Sequence, residues 1–535
     1  MAWSLLIKNG TVMDGSGAAP FKADVAVAGD RIVAVAPELP DNAERIIDAT
    51  NLVVAPGFID IHSHSDFFYE QCPSAESKIR QGVTTEVVGM CSFSPAPVTA
   101  DSRHQVETSA NALGATLNVR WRTFDQYLDA LEQAHPSINI VHFVGHGPIR
   151  YAAMGGEKRA PSPAELETMK SLLAEAMGAG AFGLSSGLVY APSAFAKTDE
   201  LIALCQSMAA RGGQYFTHMR GEGPTLLESV AEAVRICEEG DVPLQIAHLK
   251  SSGRANWPLF DRALALIDAA RGRRLDVTAD VYPYAASSTF LSALLPDWVH
   301  DGGIARALER IRDPATRRRL IAENSPDGRW HAAQDTVEWS DIMIATCPST
   351  SDEGLTLAEL AAKRGKPGAE AMLDLLSEHD AAVSMVMFTQ AEANVQKALR
   401  QPYVMIGSDS LGLSHGPGPH PGHPHPRMYG TFPRVLGKYA RDAGLFTQEE
   451  AVAKMSGHPA KKLKLYARGF VGREYFADLA LFDPATVRDE ATFEDPHRYP
   501  TGIPYVIVNG NVVVDDGRFN ARPAGRVLGR ASATQ

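Results

Sequence analysis

Residues 56–66 read Pro56-Gly57-Phe58-Ile59-Asp60-Ile61-His62-Ser63-His64-Ser65-Asp66, and the rest of the chain is organised around them. The apolar run from Leu52 to Ile61 predicts a buried β-strand that ends at two histidines. Successive side chains of a strand point to opposite faces, so His62 and His64 point the same way. Two imidazoles on one face can share a borderline cation such as Zn²⁺, although an isolated His-x-His motif is weak evidence.

The composition bounds the class of protein. The 535 residues exceed the usual size of one domain, so a large domain with a smaller one is expected. A net charge of −12 argues against a nucleic-acid-binding surface. Five cysteines without a paired spacing fit reduced thiols. Residues 1–7 are too short an apolar run for a signal peptide, and no run approaches the ~18 residues of a membrane span. We therefore expect a cytoplasmic protein with neither nucleic-acid nor membrane partners.

Both ends of the chain carry short β-rich runs separated by turn signals. Ile7-Lys8-Asn9-Gly10-Thr11-Val12 is similar to Ile507-Val508-Asn509-Gly510-Asn511-Val512. Neither end has enough strands for a stable sheet by itself. Domain termini often lie close together, so we predict one small composite β-sandwich from residues 1–55 and 471–535 rather than two unrelated hairpins.

Residues 56–470 alternate β-rich runs with helical patterns, which is typical of an α/β fold with a parallel sheet. One helix signal is clear, because Ser162 can cap, Pro163 follows at the first turn, and Glu165 completes a capping box. A segment at about 290–400 breaks the alternation with helical and loop segments and predicts an insertion near the barrel mouth. Eight candidate strands predict a (β/α)₈ TIM-like barrel: 52–64, 83–90, 138–145, 181–187, 212–219, 242–250, 276–284 and 403–409.

In such a barrel the chemistry lies at the C-terminal ends of the strands. Cys91 could be a small buried apolar residue, and His218 and His248 could each be core histidines. However, six possible metal ligands fall at five strand ends, and that coincidence favours a metal site. The candidate ligands for a borderline metal are His62, His64, Cys91, His218, His248 and Asp409.

Other histidines near these strand ends are assigned elsewhere. We place His146 in the pocket wall and give His142 a structural role. Residues 415–425 form a Gly/Pro/His run that resembles a metal-binding tract. Because its prolines hold the histidines apart, we predict a rim segment with a structural or substrate-gating role.

Several motifs, taken together, cover nearly the whole chain: Pro56 to His64, Gln81-Gly82-Val83-Thr84-Thr85 with Cys91, Thr217-His218-Met219-Arg220, Ala247-His248-Leu249-Lys250, Tyr282-Pro283-Tyr284, Gly407-Ser408-Asp409 and Gly430-Thr431-Phe432-Pro433-Arg434. They resemble the amidohydrolase superfamily and, within it, the D-aminoacylase (N-acyl-D-amino-acid deacylase) branch. The cysteine after the second strand and the Gly-Thr-Phe-Pro-Arg motif are the narrower marks of that branch. The chain departs from it at Leu249, where a second histidine is common, and in its longer loop after Asp409.

The resemblance implies a metal-dependent amidohydrolase that converts N-acyl-D-amino acids to a carboxylate and a free D-amino acid. Residues Leu184-Ser185-Ser186-Gly187, at strand four, offer no lysine that could bridge two metals. The resemblance implies that Cys91 takes over this bridging role. Cys91, His218 and His248 would then hold a tight Zn²⁺. His62, His64 and Asp409 would surround a second, weaker position that could be empty.

Zinc activates water and polarises a carbonyl, and amide hydrolysis needs both effects. Asp409 is placed to take a proton from water and pass it to the leaving nitrogen, and a purely structural ligand is the alternative. The resemblance implies that Lys250, Tyr282 and Ser288 bind the substrate carboxylate. They could instead be a surface lysine, a core tyrosine and a loop serine. Arg220 is expected to brace the site through an ion pair.

Two other functions stay open. The same metal site could hydrolyse a cyclic amide of the hydantoin, lactam or imide type, or another amide. The barrel could also be a non-catalytic scaffold, but the presence of every expected ligand and of Asp409 weighs against that interpretation.

Overall fold

The computed structural model describes residues 3–100, 102–112, 114–332, 336–414 and 422–530. Its strands are β1 (Leu5–Val12), β2 (Phe21–Ala28), β3 (Arg31–Ala36), β4 (Ile46–Asp48), β5 (Val53–Pro56), β6 (Phe58–Asp60), β7 (Val83–Val88), β8 (Asn139–His142), β9 (Val144–Gly145), β10 (Gly183–Gly187), β11 (Gln214–His218), β12 (Leu244–Ile246), β13 (Val277–Val281), β14 (Ser287–Phe290), β15 (Trp330–His331), β16 (Thr336–Val337), β17 (Ile342–Thr346), β18 (Ser384–Met387), β19 (Val404–Ile406), β20 (Leu479–Phe482), β21 (Tyr505–Val508), β22 (Asn511–Asp515), β23 (Arg518–Phe519) and β24 (Val527–Leu528).

The helices alternate with the central strands. They are α1 (Glu76–Ile79), α2 (Arg103–Ala112), α3 (Phe124–Gln133), α4 (His146–Met154), α5 (Pro163–Ala179), α6 (Thr198–Ala209), α7 (Leu226–Gly240), α8 (Leu259–Gly272), α9 (Ile304–Arg312), α10 (Pro314–Asn324), α11 (Leu357–Arg364), α12 (Gly368–Glu378), α13 (Glu392–Arg400), α14 (Arg427–Arg434), α15 (Gln448–Met455) and α16 (Gly457–Leu463). Among the helices of the described ranges, none combines the length and the apolar character that crossing a bilayer requires.

A ring of eight parallel strand segments lies at the centre of the molecule. β6, β7 and β8 pair in that order, and β9, β10, β11, β12, β13 and β19 form a second run. The two runs are continuous because β8 and β9 belong to one chain segment. A parallel bridge between Ser63 and Ser410 joins the first strand segment to the last. Strands lie within all eight predicted ranges, and the carboxyl ends of these strands meet at one end of the ring.

The helix predicted from Ser162 shows how the outer layer forms. The Ser162 hydroxyl accepts a hydrogen bond from the Glu165 backbone N–H, and Pro163 occupies the first turn of α5. Met169 and Leu173 are fully buried in the main hydrophobic core. This apolar stripe packs the helix against the outside of the sheet.

Strands from both chain ends form one composite sheet, as predicted. β20 pairs antiparallel with β5, and β5 pairs parallel with β1. Hydrogen bonds link the nine strands into one continuous sheet, which curls until Arg31 of β3 bridges to Phe476. β24 is not part of this sheet and pairs with β8 of the barrel. The predicted C-terminal range of 471–535 does not anticipate that pairing, and the domain bounds of 1–55, 56–470 and 471–535 stay predictions.

The insertion predicted at about 290–400 is a folded unit with its own core. β14, β18 and β17 form an antiparallel sheet, and the buried side chains of Trp330, Leu360 and Met385 belong to one cluster beside it. The sequence indicated helices and loops here, so this sheet is a finding of the structure. Residues of the insertion line the same cavity as His64 and Asp409, which places the unit over the barrel mouth.

Candidate metal centre and active site

The structure brings the six candidate metal ligands together. Their donor atoms form two groups, each with all atoms within 4.8 Å of one another: His62, His64, Cys91 and Asp409 in one, and Cys91, His218 and His248 in the other. Cys91 belongs to both groups. Its sulfur therefore lies where a thiolate could bridge two metal positions.

Several of these side chains are held by an unusual backbone. Cys91, His248 and Asp409 have positive φ angles of 51°, 35° and 50°. Such conformations cost roughly 1–3 kcal/mol each and persist only where the surroundings enforce them. The Asp409 N–H donates to the His62 carbonyl oxygen over 2.8 Å. The His248 N–H donates to Asp280 Oδ1 over 2.7 Å.

The fourth strand supplies no ligand, and the packing explains why. β10 ends at Gly187, where a Cβ atom would collide with the carbonyl oxygen of Cys91. The preceding side chain, Ser186, is bonded to Thr217 and Tyr215 instead. A bridging group from this strand is therefore excluded by the close approach of the segment that carries Cys91.

Two buried carboxylates that the sequence analysis did not single out orient the ligand histidines. Asp280 Oδ1 lies 3.1 Å from His62 Nδ1, and His62 Nε2 lies 3.2 Å from Cys91 Sγ. Glu222 Oε1 lies 2.9 Å from His248 Nδ1, and His248 Nε2 lies 3.5 Å from Cys91 Sγ. Each carboxylate holds one ring nitrogen and turns the other toward the centre, as outer partners of metal-binding histidines commonly do.

A second buried charge network fixes the strands that carry the site. Lys78 Nζ donates to Asp60 Oδ2 over 2.7 Å and lies 3.4 Å from Glu86 Oε2. The Ser408 N–H donates to Asp60 Oδ1 over 2.8 Å. Three segments, those ending at His62, Cys91 and Asp409, are thereby tied to one ammonium and two carboxylates.

The local electrostatics favour a thiolate and an ionised carboxylate. Burial raises the pKa of Cys91, but the neighbouring His62 and His248 outweigh it and hold that pKa well below its usual value. Burial also raises the pKa of Asp409, and Arg427 with His62 reverses the shift to well below the usual range. Asp409 is therefore ionised at neutral pH, and the surroundings of Cys91 favour its thiolate form.

The donor set fits Zn²⁺. Imidazole nitrogens, a thiolate and a carboxylate are the ligands that this borderline cation prefers. His218 Nδ1 is buried and has no hydrogen-bond partner among the described residues. A buried polar atom without a partner is costly, so a cation beside Nδ1 would relieve that cost.

The three predicted substrate-binding residues line one cavity with the metal-ligand candidates. The Tyr282 hydroxyl accepts a hydrogen bond from Gln390 Nε2 over 2.9 Å, which leaves its own proton to donate. Lys250 Nζ donates to Glu222 Oε1 over 2.6 Å and lies 2.8 Å from His248 Nδ1. Ser288 is half-buried in β14 at the cavity wall. The role of these residues in substrate binding stays a prediction.

Comparison with known proteins identifies the family. Residues 45–514 match the family model described as the amidohydrolase family. The chain belongs to the amidohydrolase family. It is 39% identical over 532 residues to D-aminoacylase from Alcaligenes xylosoxydans xylosoxydans, covering 99% of this chain and 98% of that protein. The resemblance inferred from the sequence motifs is confirmed.

Solved structures of other amidohydrolases have the same fold. A D-aminoacylase described with a binuclear metal centre matches with a TM-score of 0.82 and 38% identity, covering 98% of this chain and 100% of that one. N-acyl-D-glutamate deacylase from Bordetella bronchiseptica, complexed with zinc and a phosphonate mimic of the tetrahedral intermediate, matches with a TM-score of 0.84 and 33% identity, covering 99% and 100%. The predicted fold class is confirmed by these likenesses.

Arg427 is a further residue of this amidohydrolase site that the sequence analysis missed. It is buried in α14, and its Nη1 donates to Asp409 Oδ2 over 2.8 Å. Its Nη2 donates to the Ser288 carbonyl oxygen over 3.1 Å, and the guanidinium carbon lies 4.6 Å from the centre of the Tyr282 ring. Arg427 therefore links the predicted general base to the predicted substrate-binding residues.

The structure contradicts the prediction for one of two neighbouring histidines of this amidohydrolase and fits the prediction for the other. The placement of His146 in the pocket wall is wrong, because it is fully buried with Nε2 3.0 Å from Glu200 Oε1 and Nδ1 2.8 Å from Ser193 Oγ. This pairing holds His146 away from the main cavity. His142 is buried, and its Nε2 lies 3.3 Å from the Tyr127 hydroxyl, which fits the predicted structural role.

The remaining expectations concern Arg220 and the Gly/Pro/His run. Arg220 forms the predicted ion pair, with its Nε 2.9 Å from Glu232 Oε2. Residues 415–421 of the run lie outside the described residues. His423 Nε2 lies 2.6 Å from the Phe493 carbonyl oxygen, and His425 Nε2 lies 3.0 Å from that of Ala286. These two histidines bind the backbone of neighbouring segments.

Proposed function

We propose that this amidohydrolase cleaves the amide bond of N-acyl-D-amino acids and releases a carboxylate and a free D-amino acid. One observation carries the proposal: two groups of metal-ligand donors share Cys91 beside an ionised Asp409 at the barrel mouth. The similarity to D-aminoacylase and to N-acyl-D-glutamate deacylase over nearly the whole chain supports the choice of substrate.

Zn²⁺ is the cofactor that we propose. Cys91, His218 and His248 would hold a tight ion, and His62, His64 and Asp409 would surround a second, weaker position. When bound, zinc supplies the activation of water and the polarisation of the amide carbonyl that hydrolysis requires. The protein supplies the proton transfers and the orientation of the substrate.

Asp409 acts as general base and then as general acid. Arg427 holds Oδ2, while Oδ1 lies 3.1 Å from His64 Nε2 and 3.5 Å from His62 Nε2. The low pKa of Asp409 keeps it ionised at neutral pH, so it can accept the proton of the attacking water. The same oxygen then returns that proton to the departing amide nitrogen.

Tyr282, Ser288 and Lys250 bind the free carboxylate of the substrate. All three line the cavity that contains Asp409. Two hydroxyl donors beside a buried ammonium offer hydrogen bonds and positive charge to an anion. Such a clamp fixes the amide bond against the metal centre and favours acyclic N-acyl amino acids over neutral amides.

A cytoplasmic location is part of the proposal. All five cysteines are buried and none of them forms a disulfide, which suits a reducing compartment. The partner is a small-molecule amide.

The proposal is tested with a panel of N-acetyl-D- and N-acetyl-L-amino acids, a hydantoin and a lactam, together with metal analysis of the purified protein. We expect about one zinc per chain and at least about 100-fold faster hydrolysis of the D-amino acid derivatives, since a preorganised site discriminates strongly. Turnover confined to the cyclic amides would overturn the linear substrate and keep the metal centre. A protein without metal would overturn the ligand assignment.

A further inference from the structure

Glu222 lies where the candidate zinc ligands meet the proposed carboxylate clamp. It follows His218 by four positions, in the segment between β11 and α7. The Ser252 N–H donates to the Glu222 carbonyl oxygen over 2.7 Å, so the segment after β12 fixes its backbone. Only 5% of Glu222 is exposed. A buried carboxylate is costly unless it is paired, so its partners indicate what it does.

The carboxylate of Glu222 contacts both histidines of the proposed tight site. Oε1 lies 2.9 Å from His248 Nδ1, and Oε2 lies 3.6 Å from His218 Nε2. In His248 the other nitrogen, Nε2, lies 3.5 Å from Cys91 Sγ. In His218 the other nitrogen, Nδ1, is buried and has no hydrogen-bond partner among the described residues. One carboxylate thus leaves one nitrogen of each ring for a metal ion.

Lys250 competes for the same atoms. Its Nζ lies 2.6 Å from Glu222 Oε1, 2.8 Å from His248 Nδ1 and 3.1 Å from the His248 carbonyl oxygen. An ammonium group can only donate hydrogen bonds, so Nδ1 would have to be an acceptor to bind it. The proton of the neutral ring would then sit on Nε2. A protonated Nε2 has no lone pair for a metal ion.

Glu222 resolves this competition. When Oε1 and the His248 carbonyl oxygen accept hydrogen bonds from Lys250, Nδ1 keeps its own proton and donates it to Oε1. The lone pair of the neutral ring then lies on Nε2, which faces Cys91. An outer carboxylate that accepts from one ring nitrogen commonly fixes the tautomer of a metal-binding histidine in this way.

We propose that Glu222 is a positioning residue of the tight zinc site, and that it acts by holding the Lys250 ammonium away from His248 Nδ1. The same ion pair places that ammonium in the cavity, where it belongs to the proposed clamp for the substrate carboxylate. Zinc binding and substrate binding therefore share one residue, an inference that rests on the proposed zinc-dependent deacylase function and deepens it.

Glu222→Gln is expected to weaken zinc binding about 10- to 100-fold, the usual effect of losing an outer partner of metal-ligating histidines. The amide has nearly the same size but does not neutralise Lys250, which then donates to His248 Nδ1. Competition with a chelator measures the affinity, and the absorption spectrum of the Co²⁺-substituted protein reports the ligand geometry. Both readouts are independent of activity. Native zinc affinity in Glu222→Gln would overturn the proposal.

Removal of the competing donor distinguishes this role from a merely structural one. Adding Lys250→Met to the Glu222→Gln protein should raise its zinc affinity about 10-fold, as expected for two residues that act on the same partner. Lys250→Met alone should keep the native zinc affinity and raise KM for N-acetyl-D-amino acids at least about 10-fold, because it removes the clamp cation. A double variant that binds zinc no better than Glu222→Gln would contradict the proposed competition.

Asp478→Asn is the matched control for loss of a buried carboxylate. Asp478 is 5% exposed, like Glu222, and forms an ion pair with Arg468. It lies outside both donor groups and does not line the main cavity. The variant should lose stability but keep the native zinc affinity and Co²⁺ spectrum. An equal loss of zinc affinity in Asp478→Asn would mean that any buried carboxylate matters, which would rule out a specific role for Glu222.

Glu222→Asp keeps the proposal testable if the glutamine variant does not fold. It retains the buried charge, but its carboxylate is one methylene shorter in reach. We expect zinc affinity about 10-fold below the native value, at the lower end of the range for outer partners, and recovery when Lys250→Met is added. Native affinity in Glu222→Asp, or no recovery in its double variant, would speak against the proposal.

Failure of the proposal is distinguishable from failure of the proposed function. No zinc binding by the native chain would overturn the metal site and the role of Glu222 together. Zinc binding by the native chain without turnover of any N-acetyl-D-amino acid would overturn the deacylase function, while the zinc affinities of the variants would still support or contradict the role of Glu222.

Discussion

Replacing Asp409 with asparagine is expected to lower kcat about 10³-fold, within the range for loss of a general acid and base. The amide is nearly the same size as the carboxylate but cannot accept the proton of the attacking water. Cys91, His218 and His248 are unchanged in this variant and form a donor group without Asp409. The purified variant should therefore keep its tightly bound zinc. Steady-state kinetics together with metal analysis check both parts of this result.

Asp374→Asn is the control for this substitution. Asp374 pairs with Arg317 over 2.6 Å in the insertion, outside the cavity, and its loss should leave kcat at the native value. If Asp409→Asn loses its zinc together with its activity, Asp409 is chiefly a metal ligand. If it keeps native activity, the proton-transfer role is wrong.

Removing the thiol of Cys91 should have the largest effect on metal content. Cys91 is common to both donor groups, and its sulfur lies 3.2 Å from His62 Nε2 and 3.5 Å from His248 Nε2. Cys91→Ala leaves the tight position with two histidines, fewer ligands than the three or four of ordinary protein zinc sites. We expect zinc content to fall below about one tenth of the native value and kcat to fall at least about 10³-fold.

The same substitution at Cys205 separates metal loss from the loss of a buried side chain. Cys205 is fully buried in the main core and lies outside both donor groups. Burial raises the pKa of its thiol far above the usual value, so it remains protonated. Cys205→Ala should lower the free energy of unfolding through the cavity that it leaves while zinc content stays native. Native zinc content in Cys91→Ala would show that the histidines hold the metal without the thiolate.

Sequence patterns did not predict the residues that surround the metal-ligand candidates. Asp280 lies inside β13, and Glu222 lies four positions after His218. Neither position marks a carboxylate as an outer partner of a metal ligand. Arg427 follows a Gly/Pro/His run that carries no spacing signal for a residue that holds Asp409. These three contacts depend on how separate strand ends meet. They form because the closed ring of strands brings those ends together.

Strand pairing in the insertion and near the C-terminus was also not predictable from local sequence. β14 and β18 pair across almost 100 residues, and β24 pairs with β8 across almost 400. Such short strands have little periodicity of their own. Their partners are chosen by tertiary packing, which a local pattern does not record.

Local sequence patterns were enough to predict the alternation of strands and helices, the eight barrel strands and the residue types at their ends, because hydrophobic periodicity and capping residues act over a few neighbouring positions. They placed His62, His64, Cys91, His218, His248 and Asp409 at strand ends. Three features emerged from the folded chain instead: Cys91 is shared by two donor groups, His146 is turned away from the cavity, and the ligands are oriented by Glu222, Asp280 and Arg427. Those outcomes depend on distances between segments far apart in the chain, and these distances are fixed by closing the sheet and packing the insertion over its mouth.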